Sequence, residues 1–125
     1  MSLLLDTHVL LWVLAADPTL AASARDAIID GNNRVFVSAV TAWEIVIKRA
    51  LGKLRAPDDL HSQLRRLRLN TLAITFQHAE AVADLPGLHA DLFDRLLIAQ
   101  ARTEHLTLVT RDAQIARYDV ATLTA

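Results

Sequence analysis

The sequence predicts an α/β fold, a parallel sheet carrying helices on both faces. Two observations point there. Short apolar or β-branched runs alternate with longer stretches of helical periodicity, and none of the runs is flanked by hairpin signals. The three glycines, Gly31, Gly52 and Gly87, all fall at helix ends or breaks, and none belongs to a phosphate-cradling loop.

In chain order, Ser2–Asp6 reads as a strand, followed by the uniformly apolar stretch Val9 to Ala16. Asp17-Pro18 reads as an N-cap and a first-turn proline, opening a helix that Gly31 closes. Arg34–Ser38 is the second strand, and the helix after it opens near Ser38 or Thr41 and ends at Gly52. Pro57-Asp58-Asp59 starts another helix, with Leu60, Leu64 and Leu67 at helical spacing. Thr71–Thr75 is the third strand, followed by a short helix around Ala79–Asp84 that Pro86-Gly87 breaks. A longer helix runs from Asp91 to His105, its apolar stripe built from Leu92, Phe93, Leu96, Leu97 and Ala101. Thr107–Thr110 and Ala121–Thr124 complete the strands. Residues 1–125 read as one domain without repeats or low-complexity tracts.

Composition narrows the class. Hydrophobic residues make up 53% of the chain, enough for a buried core. A net charge of -1 excludes a global positive field, so a nucleic-acid substrate needs a local basic patch and a metal. The absence of cysteine excludes disulfides and thiolate metal sites, and suits a cytoplasmic protein. Val9–Ala16 resembles a signal h-region but lacks a basic lead-in, and no stretch approaches a membrane span.

Chemistry resides in the acids. Asp6 ends the first strand, Glu44 lies in the first turns of the helix after the second, Asp94 near the start of the long helix, and Asp112 just past Leu108-Val109-Thr110-Arg111. In a parallel sheet all four converge on the carboxyl edge of the strands, where such folds place their sites. Two carboxylates about 5 Å apart repel by about 3 kcal/mol at an effective dielectric near 20. A cation is therefore expected, and hard oxygen ligands without cysteine or clustered histidine favour Mg²⁺ or Mn²⁺.

Each acid also has a purely structural reading. Asp6 and Asp112 can cap the segments that follow them, and Glu44 stands at capping-box spacing from Thr41. Asp91, three residues before Asp94, is the expected cap of the long helix. Thr7 and Thr110 can orient carboxylates, whereas Ser38 reads as an ordinary strand-end residue and His89 as a solvated loop histidine. The basic residues Lys48-Arg49, Lys53, Arg55 and Arg65-Arg66-Arg68 read as polar helix faces.

The segments Leu4-Leu5-Asp6-Thr7-His8, Trp43-Glu44-Ile45, His89-Ala90-Asp91-Leu92-Phe93-Asp94-Arg95-Leu96-Leu97-Ile98-Ala99-Gln100-Ala101 and Leu108-Val109-Thr110-Arg111-Asp112, in that order, resemble the PIN-domain family. Within it they are similar to the ribonuclease toxins of VapBC-type toxin–antitoxin pairs. The resemblance spans almost the entire chain. It implies strand order 3-2-1-4-5 and a Mg²⁺/Mn²⁺ site held by Asp6, Glu44, Asp94 and Asp112, with Asp91 as a further acid of less defined role. Leu92 occupies a position that is proline in many relatives. The implied activity is endoribonuclease cleavage by metal-activated water, leaving a 5′-phosphate and a 3′-hydroxyl. The implied partners are RNA and a cognate antitoxin that places an Arg or Lys at the site. A homodimer is also expected, because the apolar helices Val9–Ala16 and Trp43–Ile47 carry more hydrophobic surface than one sheet face covers. Two alternatives stand beside this. One is a catalytically weak RNA-binding or interaction module. The other is an α/β phosphohydrolase with Asp6 as nucleophile, which needs a lysine at the site; Lys48 and Lys53, downstream of Glu44, are expected to lie poorly for it.

Overall fold

The computed structural model describes all residues, Met1–Ala125. Its centre is β1 (Ser2–Leu5), whose Leu3, Leu4 and Leu5 are all fully buried. A strand can be apolar on both faces only when both are covered, as in a parallel α/β sheet. β1 pairs in parallel with β2 (Arg34–Ser38) on one side and β4 (Thr107–Thr110) on the other. β3 (Asn70–Leu72) and β5 (Thr122–Thr124) add in parallel at the two edges, giving the order β3-β2-β1-β4-β5. The expected α/β class and strand order are both present.

Side-chain alternation along β1 divides the core. Leu3 and Leu5 join Val35, Val37 and Val109 on one face, packed against Val9 and Leu10 of α1 (Thr7–Leu14), Ala24 and Ile28 of α2 (Ala22–Ile29), Ile45 of α3 (Ala39–Ala50) and Leu64 of α4 (Leu60–Arg66). Leu4 and Leu108 face the other side, against Leu97, Ile98 and Ala101 of α6 (Leu92–Glu104). Leu85 closes that face just after α5 (Phe76–Ala81) and the 3₁₀ turn Val82–Asp84. No helix is long and apolar enough to cross a membrane.

Several local expectations shift. Asp17 is not a helix N-cap: its Oδ1 accepts from Thr19 N at 2.8 Å and from the Thr19 hydroxyl, forming a turn, and α2 begins only at Ala22. The side chain closes its own loop before a helix can start. β3 covers Asn70–Leu72 rather than Thr71–Thr75, because Thr75 is recruited as the cap of α5. Its Oγ1 accepts from His78 N while His78 Nδ1 accepts from Thr75 N, a reciprocal box in which histidine takes the usual glutamate position. Leu92 and Leu67 lie outside the core, at 77% and 46% exposed, each at a helix end.

A polar network crosses the second core. Ser38 Oγ donates to Gln100 Oε1 at 2.5 Å and also accepts from Val40 N, capping α3. Fully buried Gln100 donates from Nε2 to the Ala73 carbonyl and lies 3.2 Å from His78 Nδ1. The other ring nitrogen of His78 meets Glu104 Oε2 at 2.7 Å. Since Nδ1 faces two donors, Nε2 carries the proton and donates to Glu104. Ser38 thus does more than end a strand: it locks the start of α3 to the middle of α6.

Replacing Gln100 with alanine strips partners from Ser38 and His78 and leaves a cavity. We expect Gln100→Ala to lower unfolding free energy by about 2–4 kcal/mol in urea titration. A loss below about 0.5 kcal/mol would show that the network adds nothing to stability.

Candidate metal centre

The site forms where β1, β2 and β4 end. Asp6 follows β1 directly, its N–H donating to the Val109 carbonyl at 3.1 Å, so the sheet ladder itself fixes its backbone. Asp6 caps α1, Oδ1 accepting from Val9 N at 2.9 Å. The capping reading and a site position are therefore compatible, because a carboxylate has a second oxygen to offer. Glu44 lies midway along α3, and the true cap of that helix is Ser38, so the Thr41 capping-box reading does not hold. Asp91 caps α6 as expected, accepting from Asp94 N at 2.9 Å, which leaves the Asp94 side chain free to face inward. Asp112 emerges after β4 and closes a turn, Oδ1 accepting from Gln114 N at 2.8 Å.

All five acids, Asp6, Glu44, Asp91, Asp94 and Asp112, line one cleft of about 400 Å³, together with Thr7, His8, Trp12, Lys48, His89 and Arg111. Thr7 Oγ1 donates to Glu44 Oε1 at 2.5 Å, and Thr110 Oγ1 accepts from Asp112 N at 3.0 Å. Thr7 thus meets a carboxylate of the cleft, whereas this Thr110 contact is to the backbone of Asp112.

Two residues depart from expectation. His89 is not solvated: its Nε2 lies 2.8 Å from Asp94 Oδ2, with both side chains 20% exposed. Arg95 holds it there. That guanidinium donates to the Pro86 carbonyl at 2.9 Å and to the Tyr118 hydroxyl at 3.1 Å, pinning the loop before α6. Lys48, expected on a polar helix face, instead turns into the cleft and pairs with Glu44 Oε2 one helical turn earlier. The i,i+4 spacing from a site acid was the available signal for Lys48. For His89 no short-range spacing existed, because the contact depends on how the loop folds back.

Electrostatics reflect the crowding. Burial raises the Asp6 carboxyl above its ordinary value, partly offset by the Thr110 hydroxyl and the Val9 N–H. Burial also pushes Asp94 up, to about 6, reinforced by the charges of Asp91 and Glu44 and opposed by His89. The hydrogen bond to Glu44 raises Lys48.

The donor set suits a divalent cation. Ligand atoms of His89, Asp94 and Asp112 all lie within 4.8 Å of one another. An ion bound to oxygen at about 2.1–2.5 Å places its ligands roughly 3–5 Å apart. With Asp6 and Glu44 in the same cleft, the site is dominated by hard carboxylates.

The PIN-domain family model matches residues 3–121, and the chain belongs to the PIN-domain family. Solved structures agree in fold. The VapBC2 complex of Rickettsia felis bound to a promoter DNA fragment superposes with a TM-score of 0.75 at 19% identity, covering 100% of this chain and 99% of that one. The DNA-bound VapBC of Salmonella typhimurium gives 0.73 at 16% identity, covering 99% and 98%. VapBC-1 of nontypeable Haemophilus influenzae gives 0.69 at 20% identity, covering 99% and 98%. Among curated proteins, none matches significantly by sequence.

Asp94 carries a pH prediction. Its folded pKa of about 6 lies above the ordinary 3.8, so the folded state binds that proton more tightly than the unfolded chain. Its destabilising contribution is absent below pH 3.8, grows as pH rises from there towards 6, and is constant above. The gap corresponds to about 3 kcal/mol. In EDTA, the stability difference between Asp94→Asn and the parent should therefore favour the variant at pH 7 and shrink towards zero near pH 4. A pH-independent difference in chemical denaturation would mean that Asp94 is not strained by its neighbours.

Proposed function

We propose that this protein is a metal-dependent endoribonuclease acting as the toxin of a VapBC-type toxin–antitoxin pair. The observation that carries the reading is the meeting of Asp6, Glu44, Asp94 and Asp112 in one cleft, within a chain of the PIN-domain family. Those four are the proposed catalytic and metal-binding acids, with His89 beside Asp94 and Asp91 as a further candidate ligand through its uncommitted oxygen. The proposed ion is Mg²⁺ or Mn²⁺; when bound, it lowers the pKa of water and neutralises charge on the scissile phosphate.

The chain's own residues do the positioning. Thr7 and Lys48 hold the two oxygens of Glu44, so that carboxylate cannot rotate freely. The α1 N-terminus fixes one oxygen of Asp6, a residue that lines the cleft. Thr110 sets the backbone at Asp112. Cysteine is absent and the cleft's carboxylates are crowded around a candidate cation position, which favours direct attack by water over a covalent intermediate. Lys48 does lie at the site, but its pairing with Glu44 rather than Asp6 gives no support to the phosphohydrolase alternative.

RNA cleavage should require Mg²⁺ or Mn²⁺, stop in EDTA, and leave 5′-phosphate ends detectable by ligation-based end mapping. Asp6→Asn keeps the cap and removes the charge, so it should retain the fold while activity falls by orders of magnitude. Full activity in EDTA, or an Asp6→Asn protein as active as the parent, would defeat the proposal.

Two surfaces support partners. A groove of about 380 Å³ beside α1 is lined by Val13, Ile28, Ile29, Val35, Leu67 and Leu69, and suits an amphipathic antitoxin segment. Its accompanying Arg or Lys would enter the acidic cleft. Trp43 (57% exposed) and Val46 (55% exposed) on α3 form an apolar patch with Phe93, whose ring meets Trp43 edge-on at 5.3 Å; this patch is the proposed homodimer face. Co-expression with the small protein encoded next to it should relieve toxicity and yield a copurifying complex. Expression alone without harm, as a monomer by light scattering, would favour a housekeeping nuclease.

A further inference from the structure

Arg111 stands out once the cleft's charges are paired. Lys48 and Arg111 are the two permanently charged cations in the lining, and they enter from opposite sides of β1 because α3 follows β2 and Arg111 follows β4. Lys48 is neutralised by Glu44. Arg111 forms no ion pair with any carboxylate of the cleft, and Asp112, its immediate neighbour, closes its own turn instead. Asp17, in the loop outside the cleft, is lowered in part by the Arg111 charge but makes no ion pair with it.

The guanidinium is nevertheless held firmly. Nε donates to the Ala125 carbonyl at 2.8 Å, Nη2 donates to the Thr19 carbonyl, and Cζ lies 4.4 Å from the Trp12 ring centroid. Three separate segments of the chain therefore fix one exposed side chain. Nη1 makes no hydrogen bond within the protein. A guanidinium fixed by two main-chain oxygens and an aromatic ring, with a free donor edge beside an acidic centre, is prepared for an external anion.

We propose that Arg111 binds a backbone phosphate of single-stranded RNA next to the scissile one, on the β4 side of the cleft. This rests on the nuclease reading above. Scissile phosphate at the acids and neighbouring phosphate at Arg111 would set the strand's register across the carboxyl edge. Trp12 and the two carbonyls act as positioning groups, removing the rotamer freedom that an arginine otherwise loses on binding.

The test is steady-state cleavage of a labelled single-stranded RNA in Mg²⁺ across a KCl series. Arg111→Gln should raise KM about tenfold or more while kcat stays within about twofold. The slope of log KM against log salt should fall by about 0.7, the signature of one lost phosphate contact on a single strand. Arg111→Lys, which keeps the charge, should restore most of the slope. Should Arg111→Gln not fold, the unaltered protein gives the same answer. RNAs carrying one neutral methylphosphonate at each position flanking the cut should show a similar rise in KM at one position. In a folded Arg111→Gln protein that rise should vanish. A variant with a lower melting temperature but unchanged KM and slope, or an absence of any sensitive phosphate, would overturn the proposal and reduce Arg111 to a staple between Thr19 and Ala125. A parent protein that cuts no RNA removes the nuclease reading and this one with it; a parent that cuts while the variants match it removes this one alone.

Discussion

Mutual repulsion among carboxylates at the carboxyl edge of β1 and β4 is the constraint around which this molecule is arranged. Five acids share one cleft, and burial raises two of them further. The chain answers with a dedicated partner for each. Val9 N–H and the Thr110 side chain serve Asp6, Thr7 and Lys48 serve Glu44, the Asp94 backbone serves Asp91, His89 serves Asp94, and Gln114 N–H serves Asp112. These partners compensate locally without filling the centre. Repulsion of this size is tolerable in a small domain, typically stable by about 5–15 kcal/mol, only if each charge is met nearby.

Compensation of that kind needs a rigid frame, which comes from polar contacts behind and beside the cleft. Ser38 and Gln100 join the helix carrying Glu44 to the helix carrying Asp94, and Arg95 gathers the loop that delivers His89. Both devices use buried or half-buried polar groups whose bonding capacity is met within the protein, and no buried side-chain nitrogen or oxygen is left unpartnered. The consequence is directional rigidity: the sheet fixes Asp6 and Asp112, and the network fixes the two helices against it.

Much of this was legible in the sequence. Leu3-Leu4-Leu5 before Asp6 announces a strand buried on both faces, and the order of strands and helices announces a parallel sheet whose carboxyl edge collects the acids. What escaped were contacts made by folding back. Asp17-Pro18 has the composition of a helix start, but the competing turn with Thr19 is a local choice that composition cannot decide. Thr75 has the β-propensity of a strand residue, and only its pairing with His78 converts it to a cap. Lys48 and His89 looked ordinary because their significance lies in the neighbours they meet, and one of those meetings needs Arg95 to hold a loop. Leu92 looked like core because periodicity does not say where a helix end stops touching its sheet.

The sheet's two margins have a bearing on how copies of this protein can meet. β3 and β5 each contribute three residues, and their outer positions, Asn70, Thr71, Thr122 and Thr124, are exposed and polar. Such short, hydrophilic edges are poor templates for adding a strand from another chain. Continuous β-sheets running between molecules are therefore disfavoured, along with the fibrous or amorphous deposits that begin that way. Contact between copies is steered to helical surfaces, where side chains rather than backbone groups decide the fit and the association can end at a closed pair.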